Sequence, residues 1–385
     1  MGKKIRLAFD ISQTGKNKAG CGFFAHAMIS AMLKNSNNID FKLLPHFGDF
    51  YHDSLMPSRN PYLKGHYGPR ILSKTKANQF WHSNDLEIKL GNPDIIHSNN
   101  FWCPTNITNS RLIYTLYDLG FLENPQWAVE ENRVGCFEGV LHAASYADWI
   151  ISISEFSKNH FLKIFPHFPE ERIEVIYPCS RFENTQIQKK QPRLFDSLKS
   201  KKFWLSVGTI EPRKNQKFLV TAYQKYLQAG GVPYPLVLAG QTGWLMDDFE
   251  AYIEELGIRD NVILTGYVDD QELLWLYQNC FVNLYPSLFE GFGLPVLEGM
   301  QFGAATITTR DTSMVEISGE NALLLAPDDL DGWVMAMQEM SKNTVFVQSL
   351  ASKAQQSVKK FSAYKISEQL ENLYFKAIKY KKLER

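Results

Sequence analysis

The chain has 385 residues, of which 44% are hydrophobic and 21% are charged, so it has the composition of a folded globular protein with enough apolar material for two cores. Its 41 basic residues balance its 41 acidic ones, which argues against a protein whose main task is to bind nucleic acid. The five cysteines lack Cys-x-x-Cys spacing, no apolar run reaches membrane-span length, and the start of the chain lacks a signal-like apolar stretch, so we expect no structural zinc, a cytoplasmic protein and at most a peripheral membrane contact.

Strand and helix patterns alternate through the first half of the chain, which predicts an α/β domain with a parallel, doubly wound sheet. The predicted strands are 5–11, 39–47, 94–97, 111–117, 149–154 and 173–177. The predicted helices are 23–33, 130–147 and one that begins at Glu155 with Ser154 as its cap.

A glycine-rich segment, residues 13–22, joins the first predicted strand to the first helix. Such loops lie at the carboxyl end of a parallel sheet, where these folds bind ligands. Gly20 and Gly22 would allow a ligand to approach the backbone, but the third glycine of the dinucleotide fingerprint is absent. A ligand-binding loop and a plain flexible loop both remain open.

Residues 48–90 are less regular and mix aromatic with basic side chains. The residues concerned are Tyr51, Tyr62, Lys64, Tyr67, Arg70, Lys74, Lys76, Phe80 and Trp81. This mixture is consistent with a surface that contacts a bilayer or an anionic lipid-linked acceptor, and it is more often found on an ordinary solvated, half-packed surface.

Residues 181–202 are polar and rich in Gln and Lys, so we predict an interdomain linker. A second series of strands and helices follows it. The predicted strands are 203–207, 236–239, 262–264, 280–285 and 305–309, and the predicted helices are 216–227 and 364–379.

The segment 287–303 carries the strongest functional pattern. Gly291 and Gly293 leave the backbone bare, and Pro295 suits the start of a helix whose positive end would face the same spot. This predicts an anion site. Glu290 and Glu298, with seven residues between them, add two acceptors for hydroxyl groups, so a diphosphate flanked by two polyols would fit. The alternative is a glycine-rich turn that only caps a helix.

Residues 290–298, Glu-Gly-Phe-Gly-Leu-Pro-Val-Leu-Glu, resemble the Glu-x7-Glu motif of the retaining glycosyltransferases of family 4. Further motifs follow the order of that family at 207–215, 236–240 and 319–328. The resemblance implies a GT-B fold with two facing Rossmann-like domains and a cleft between them. It places an acceptor-side domain at 1–190 and a nucleotide-sugar donor domain at 200–361, with the 362–385 helix packing back on the first.

The resemblance also implies roles for residues of the second domain. Lys214 matches the family's phosphate-binding lysine. The arginine that often follows the first glycine of that loop, here Gly208, is replaced by Thr209, so we assign its charge to Arg213. The two cations would stabilise the diphosphate leaving group, and the motif requires neither a divalent metal nor a cofactor.

The same motif implies where the donor lies. Glu298 would bind the ribose and Glu290 the transferred hexose, near the backbone amides of Gly291, Phe292, Gly293 and Leu294, while Val268 would border the base. Glu290 is either a positioning group or the nucleophile of a double displacement. We favour the first, with the leaving phosphate taking the acceptor proton.

In the first domain the resemblance brings the loop of Gly20 and Gly22 near the donor phosphates, and makes Asp118 a sugar or acceptor contact. Asp118 capping the following turn is the alternative. Family members commonly carry histidine before this aspartate, whereas this chain has Tyr117. A tyrosine hydroxyl can hydrogen-bond a sugar, but it cannot shuttle protons near neutral pH as imidazole can.

These motifs resemble those of bacterial mannosyl- and rhamnosyltransferases of surface-polysaccharide assembly. We therefore predict GDP-mannose as first-choice donor, with UDP- and dTDP-sugars as alternatives, and a glycan or lipid-linked saccharide as acceptor. A sugar-nucleotide epimerase would need an acid–base pair at the sugar, and none stands out. A non-catalytic sugar-nucleotide-binding subunit is the alternative from another class.

Overall fold

The computed structural model describes residues 4–12, 14, 20–44, 65–67, 74–183, 191–192 and 195–383. The chain divides into two compact units. Unit 1 comprises Met1–Arg181 with Phe361–Arg385, and unit 2 comprises Phe182–Lys360.

Unit 1 is built on a seven-stranded parallel sheet in the order β3-β2-β1-β4-β5-β6-β7. The direction of progression reverses between β1 and β4, which pair directly, so the carboxyl ends of these two strands flank a topological switch point. The strands are β1 (Ile5–Asp10), β2 (Ile39–Leu44), β3 (Gly65–Tyr67), β4 (Ile95–Ser98), β5 (Arg111–Leu116), β6 (Trp149–Ser152) and β7 (Ile173–Val175).

The helices of unit 1 lie in the connections between strands, with two of them before β4 and two between β5 and β6. They are α1 (Gly20–Asn35), α2 (Lys74–Trp81), α3 (Leu86–Lys89), α4 (Gly120–Glu123), α5 (Glu130–Tyr146) and α6 (Glu155–Ile164). The predicted cap of α6 is confirmed, because the Ser154 side chain accepts a hydrogen bond from the Ser157 amide at 3.0 Å.

Unit 2 contains a six-stranded parallel sheet in the order β10-β9-β8-β11-β12-β13. Its switch point lies between β8 and β11. The strands are β8 (Trp204–Val207), β9 (Leu236–Ala239), β10 (Val262–Gly266), β11 (Val282–Tyr285), β12 (Ala305–Thr309) and β13 (Leu323–Leu325). The helices are α7 (Gln216–Gln228), α8 (Phe249–Glu255), α9 (Asp270–Asn279), α10 (Leu294–Gln301), α11 (Met314–Ser318), α12 (Leu330–Lys342) and α13 (Thr344–Ser357).

The final helix, α14 (Ala363–Lys379), returns to unit 1 and packs on α1. Its amphipathic pattern buries Ile366, Leu370 and Leu373. The side chain of Tyr374 reaches the sheet of unit 1, where its hydroxyl lies 2.7 Å from Nδ1 of His97.

Three features differ from the sequence predictions. Helix α1 begins at Gly20, three residues earlier than predicted, so Gly20 and Gly22 lie in its first turn and not in a loop. Phe195 and Leu198, in the predicted linker, are buried in a core cluster of unit 2. The prediction missed them because the stretch is mostly polar and contains few apolar residues. Trp81 is buried in the core of unit 1 and is not a surface residue.

Most residues behind the membrane-surface hypothesis lie outside the described part of the chain. Tyr51, Tyr62, Lys64 and Arg70 are not described, and only the backbone of Tyr67 and Lys74 is described. In the part of the chain that the structure describes, no helix is both long and apolar enough to cross a bilayer.

Candidate active site in unit 2

The predicted site residues of unit 2 gather at the carboxyl edge of its sheet. One loop follows β8 and carries Arg213 and Lys214, and the other follows β11 and carries Glu290. Because β8 and β11 flank the switch point, these loops form the walls of the crevice in which open α/β sheets bind ligands.

The first loop passes through a 3-10 turn, Pro212–Lys214, before α7 begins. Asn215 adopts the left-handed conformation with φ 61°, which asparagine tolerates better than most residues. Its side-chain amide donates to the carbonyls of Pro286, at 3.2 Å, and Pro327, at 2.9 Å. Asn215 therefore ties the first loop to the second.

Backbone and hydroxyl contacts hold the second loop. The Leu288 amide donates to the Arg213 carbonyl at 2.9 Å. The Ser313 hydroxyl lies 2.9 Å from the Glu290 carbonyl and 2.8 Å from that of Phe292. The backbone on both sides of Gly291 is thus fixed by a side chain from the segment after β12.

Glu290 lies at the centre of the site and is 7% exposed. Four groups contact its Oε1 atom: Lys214 Nζ at 2.5 Å, Ser287 Oγ at 2.6 Å, Tyr285 Oη at 2.9 Å and Arg213 Nη1 at 3.2 Å. None of the described residues donates to Oε2. One carboxylate oxygen is therefore saturated by the protein, and the other is left to accept from a ligand.

The charges of this cluster act on one another. Burial alone would raise the pKa of Glu290, but Lys214 and Arg213 outweigh it and lower that pKa to about 2. Burial lowers the pKa of Lys214, as does the neighbouring Arg213 charge, while Glu290 opposes both. Glu290 is thus a firmly ionised carboxylate.

A second carboxylate, Glu211, completes the cluster. Its Oε1 accepts from Arg213 Nη2 at 2.8 Å, and Arg213 Nη1 also donates to the Phe289 carbonyl at 2.9 Å. Burial raises the pKa of Glu211, an effect that the two cations oppose. The guanidinium is thereby held in one orientation at the floor of the crevice.

Gly293 ends the second loop directly before α10. Its φ is +105°, and a Cβ at this position would lie 2.8 Å from the Met314 sulfur, so both the backbone conformation and the available space favour glycine. The helix begins at Leu294 with Pro295 second, one position later than a first-residue proline. The N-terminus of α10 therefore starts beside the buried Glu290 cluster, as an anion site requires.

Glu298 lies in the second turn of α10 and is fully buried. Its Oε2 accepts from the Tyr277 hydroxyl of α9 at 3.2 Å. Its proposed contact with ribose stays a prediction.

The structure brings together Gly208, Arg213, Lys214, Glu290 and the segment 291–294. Gly208 follows β8, and a Cβ there would lie 3.8 Å from the Lys214 side chain. Val268 follows β10, the edge strand of the sheet, and packs in part against a core cluster.

The remaining predicted residues belong to unit 1. Asp118 Oδ1 accepts from the Gly120 amide at 2.9 Å at the start of α4, which is the capping role considered as the alternative. The Tyr117 hydroxyl is within 3.2 Å of the Cys21 carbonyl, the Asn99 carbonyl and Asn99 Oδ1. Burial raises its pKa well above 10, so Tyr117 is neutral.

Sequence reasoning missed the side chains that orient Glu290 and its neighbours. These are Glu211, Tyr277, Tyr285, Ser287 and Ser313. Tyr285 and Ser287 lie five and three residues before Glu290, at the end of a buried strand, where side chains of a parallel sheet meet its ligand edge. Their position was a usable signal, whereas Tyr277 and Ser313 come from other elements.

Comparison with known proteins identifies the second unit. Residues 188–360 match the family described as Glycosyl transferases group 1. The chain thus contains a glycosyl transferases group 1 domain. This domain includes both loops of the Glu290 cluster, so the family resemblance is confirmed for the part of the chain that carries the motifs.

Relatives of this chain include proteins of Escherichia coli. The chain is 32% identical over 247 residues to O-antigen chain mannosyltransferase B, covering 62% of this chain and 62% of that protein. It is 30% identical over 220 residues to the serotype-specific mannosyltransferase WbdA, covering 57% of this chain and 26% of that protein. The chain thus spans less than two thirds of these relatives.

The fold is shared with a solved structure over nearly the full chain. The crystal structure of Anabaena Alr3699/HepE in complex with UDP matches with a TM-score of 0.71 at 18% identity, covering 97% of this chain and 100% of that one. Similar structures are GT-B glycosyltransferases, so the predicted GT-B fold class, with its two Rossmann-like sheets, is confirmed.

Proposed function

We propose that this protein is a retaining glycosyltransferase that moves mannose from GDP-mannose to a hydroxyl of a glycan or lipid-linked acceptor during O-antigen or related polysaccharide synthesis. The observation that carries this proposal is the buried Lys214–Glu290 pair, with Arg213, at the switch point of the group 1 domain. The names of the relatives, O-antigen chain mannosyltransferase B and serotype-specific mannosyltransferase WbdA, support the choice of sugar.

The leaving group of such a reaction is a nucleoside diphosphate, which gains negative charge as the glycosidic bond breaks. Lys214 and Arg213 are positioned before the donor binds, since their loop is fixed by Asn215 and by the Arg213 contacts. Cations held in a buried site stabilise developing charge without reorganising during the reaction. The N-terminus of α10 adds its dipole to this effect.

Glu290 acts as a positioning group in this proposal. A carboxylate with a pKa near 2, paired with two cations, is a weak nucleophile because its charge is already engaged. The Oε2 atom accepts a hydroxyl of the transferred hexose and orients the anomeric carbon. The leaving phosphate then takes the acceptor proton, and the new bond forms on the face that the phosphate leaves.

We assign the ribose, the phosphates and the base of the donor to neighbouring residues of the same domain. Glu298 accepts from the ribose hydroxyls, with Tyr277 orienting its carboxylate, the amides of 291–294 lie near the phosphates, and Val268 borders the base. Asp118 contributes to the sugar or acceptor contact. We place the enzyme in the cytoplasm, where it works on acceptors peripherally at the membrane surface.

The first test measures nucleotide binding and turnover separately. Thermal shifts with GDP, UDP, dTDP and ADP should show selective stabilisation by GDP, about 2.7 kcal/mol at roughly 100 times its dissociation constant. Lys214→Ala should abolish the shift. The matched control is Lys217→Ala in the first turn of α7, which removes an exposed lysine paired with Asp248 at the start of α8 and should leave the shift intact.

Turnover with GDP-mannose tests the transfer activity and its stereochemistry. The anomeric proton of the product is observed by NMR. An α-linked product from the α-linked donor supports retention, and a β-linked product contradicts it. Selective binding of UDP or dTDP would replace GDP-mannose with a UDP- or dTDP-sugar. No nucleotide response in the folded protein would contradict the glycosyltransferase proposal itself.

Tyr117 favours a second candidate, a sugar-nucleotide-binding subunit without transfer activity. Its hydroxyl is occupied inside unit 1 by Cys21 and Asn99, at the position where related enzymes commonly carry histidine. Nucleotide binding without turnover on any donor would support this candidate, whereas turnover by the wild type would exclude it.

A further inference from the structure

Unit 1 contains a cavity of about 400 Å³ that none of the predicted site residues lines. It lies between α2, the segment after β4 and α5. Its lining includes Asn78, His82, Phe101, Trp102, Glu138 and His142. Its volume falls within the range of about 300–1,000 Å³ typical of small-molecule sites.

Two glycines of α5 shape the wall of this cavity. A Cβ at Gly139 would lie 1.5 Å from the Phe101 carbonyl oxygen, so this glycine allows the helix to pack directly on the segment after β4. A Cβ at Gly135, one turn earlier, would meet no atom within 4 Å. The cavity therefore opens beside Gly135, and its floor is set by Gly139.

The chemistry of the lining favours a neutral polyol. Phe101 and Trp102 offer aromatic surface, while Asn78, Glu138 and the two histidines offer polar groups. A pyranose ring has apolar C–H faces and a rim of hydroxyls, each of which needs a donor or an acceptor. Among the described residues that line the cavity none is Lys or Arg, so a diphosphate would meet Glu138 without a compensating cation.

The histidines add both kinds of hydrogen-bonding group. The rings of His82 and His142 lie 5.6 Å apart, edge to face. His82 Nδ1 lies 3.0 Å from the Asn78 carbonyl, so Nδ1 donates to that carbonyl and Nε2 is the ring atom left to face a ligand. Within the described structure Nε2 is buried without a partner. Burial lowers the pKa of His142, an effect that the nearby Glu138 carboxylate opposes.

We propose that this cavity binds a neutral saccharide unit of the acceptor glycan. The proposal rests on the proposed function, because it assigns a binding place to the glycan acceptor of that transfer. The cavity serves as a binding subsite for the chain and takes no part in breaking the donor bond. Binding of the acceptor would therefore be separable from binding of the nucleotide.

The test fills the cavity with a bulky side chain introduced at position 135. Gly135→Phe directs a ring into the open space without a Cβ clash, and Ser145→Phe places the same ring at an exposed position of the same helix. Saturation-transfer NMR measures binding of α-mannobiose and α-mannotriose, and thermal shift measures binding of GDP. We expect oligosaccharide binding to the wild type and to Ser145→Phe, its loss in Gly135→Phe, and an equal GDP response in all three.

Transfer kinetics give a second readout. Gly135→Phe should raise the KM for an oligosaccharide acceptor at least about tenfold, while hydrolysis of the donor in the absence of acceptor stays unchanged. Glu138→Gln, at an exposed position of the lining, should weaken oligosaccharide binding and provides the same test if Gly135→Phe does not fold.

Oligosaccharide binding that survives both substitutions, or is absent from the wild type, overturns the cavity proposal. Binding of GDP at the cavity, seen as loss of the GDP response in Gly135→Phe, also overturns it. Failure of the proposed function has a different signature: the wild type binds oligosaccharide through the cavity but transfers no sugar from any nucleotide donor.

Discussion

Lys214 Nζ lies 2.5 Å from Glu290 Oε1, and the two residues come from different loops, 76 positions apart in the chain. This ion pair joins the loop after β8 to the loop after β11 within the group 1 domain. Because both groups are largely buried, neither can lose its partner without leaving a charge in a poorly solvated place. The pair thus fixes the geometry of the site before a donor binds.

Glu290→Gln should separate nucleotide binding from turnover. The substitution removes the anion that neutralises Lys214 and Arg213, so the diphosphate of GDP should bind at least as well and raise the thermal midpoint at least as much as in the wild type. Transfer should fall by about 100-fold or more, since the hexose loses its charged acceptor. Glu250→Gln, on the exposed surface of α8, is the control. A variant that transfers at the wild-type rate would contradict the positioning role.

The sequence predicted those parts of the candidate site that are encoded in short, continuous segments of the chain. Glycines at 291 and 293, the two carboxylates at 290 and 298 and the cations at 213 and 214 lie in short segments whose spacing is visible in one dimension. The hydroxyls of Tyr277 and Ser313 approach the site from other elements, and no local pattern marks such a contact. The cavity of unit 1 was missed for the same reason, because α2, α5 and the segment after β4 are brought together only by the fold.

Gly293→Ala should destabilise unit 2 for two separable reasons. The left-handed φ costs a residue with a Cβ about 1 kcal/mol, and the Cβ contact with the Met314 sulfur at 2.8 Å adds the cost of overpacking, about 1–3 kcal/mol. In a double-mutant cycle with Met314→Ala, the double variant should be more stable than the sum of the single losses predicts. Urea unfolding measures all four proteins, and strict additivity would show that the sulfur contact contributes nothing.

The two glycines of α5 that face the cavity should respond in opposite directions to alanine. Gly139→Ala places a Cβ on the Phe101 carbonyl and should cost about 1–3 kcal/mol or more, because a backbone atom must move. Gly135→Ala meets open space and should stabilise the helix by up to about 1 kcal/mol. Thermal unfolding compares both with the wild type. Equal effects at the two positions would contradict the packing described for this helix.

His97 should make unit 1 sensitive to acid. It is fully buried between Tyr374 Oη, 2.7 Å from Nδ1, and Thr115 Oγ1, 2.8 Å from Nε2, and burial lowers its pKa to about 3. An unfolded histidine titrates near pH 6.5, so between about pH 6.5 and about pH 3 the unfolded chain binds a proton that the folded chain excludes. The stabilising effect of a neutral His97 is complete above about pH 6.5 and declines as the pH falls, by up to about 1.4 kcal/mol per pH unit.

His97→Asn keeps a donor and an acceptor but cannot titrate, so it isolates this contribution. Its unfolding free energy should be lower than that of the wild type at about pH 7, and the difference should narrow steadily towards about pH 5. His167→Asn, at an exposed position of the same unit, is the control. The measurement is urea unfolding, with unit 1 monitored through hydrogen exchange of the backbone amides of α14, the helix that contains Tyr374. If the difference in unfolding free energy between the wild type and His97→Asn stays constant with pH, then His97 has the same pKa in the folded and unfolded states. That result would contradict the effect expected from its burial between Tyr374 and Thr115.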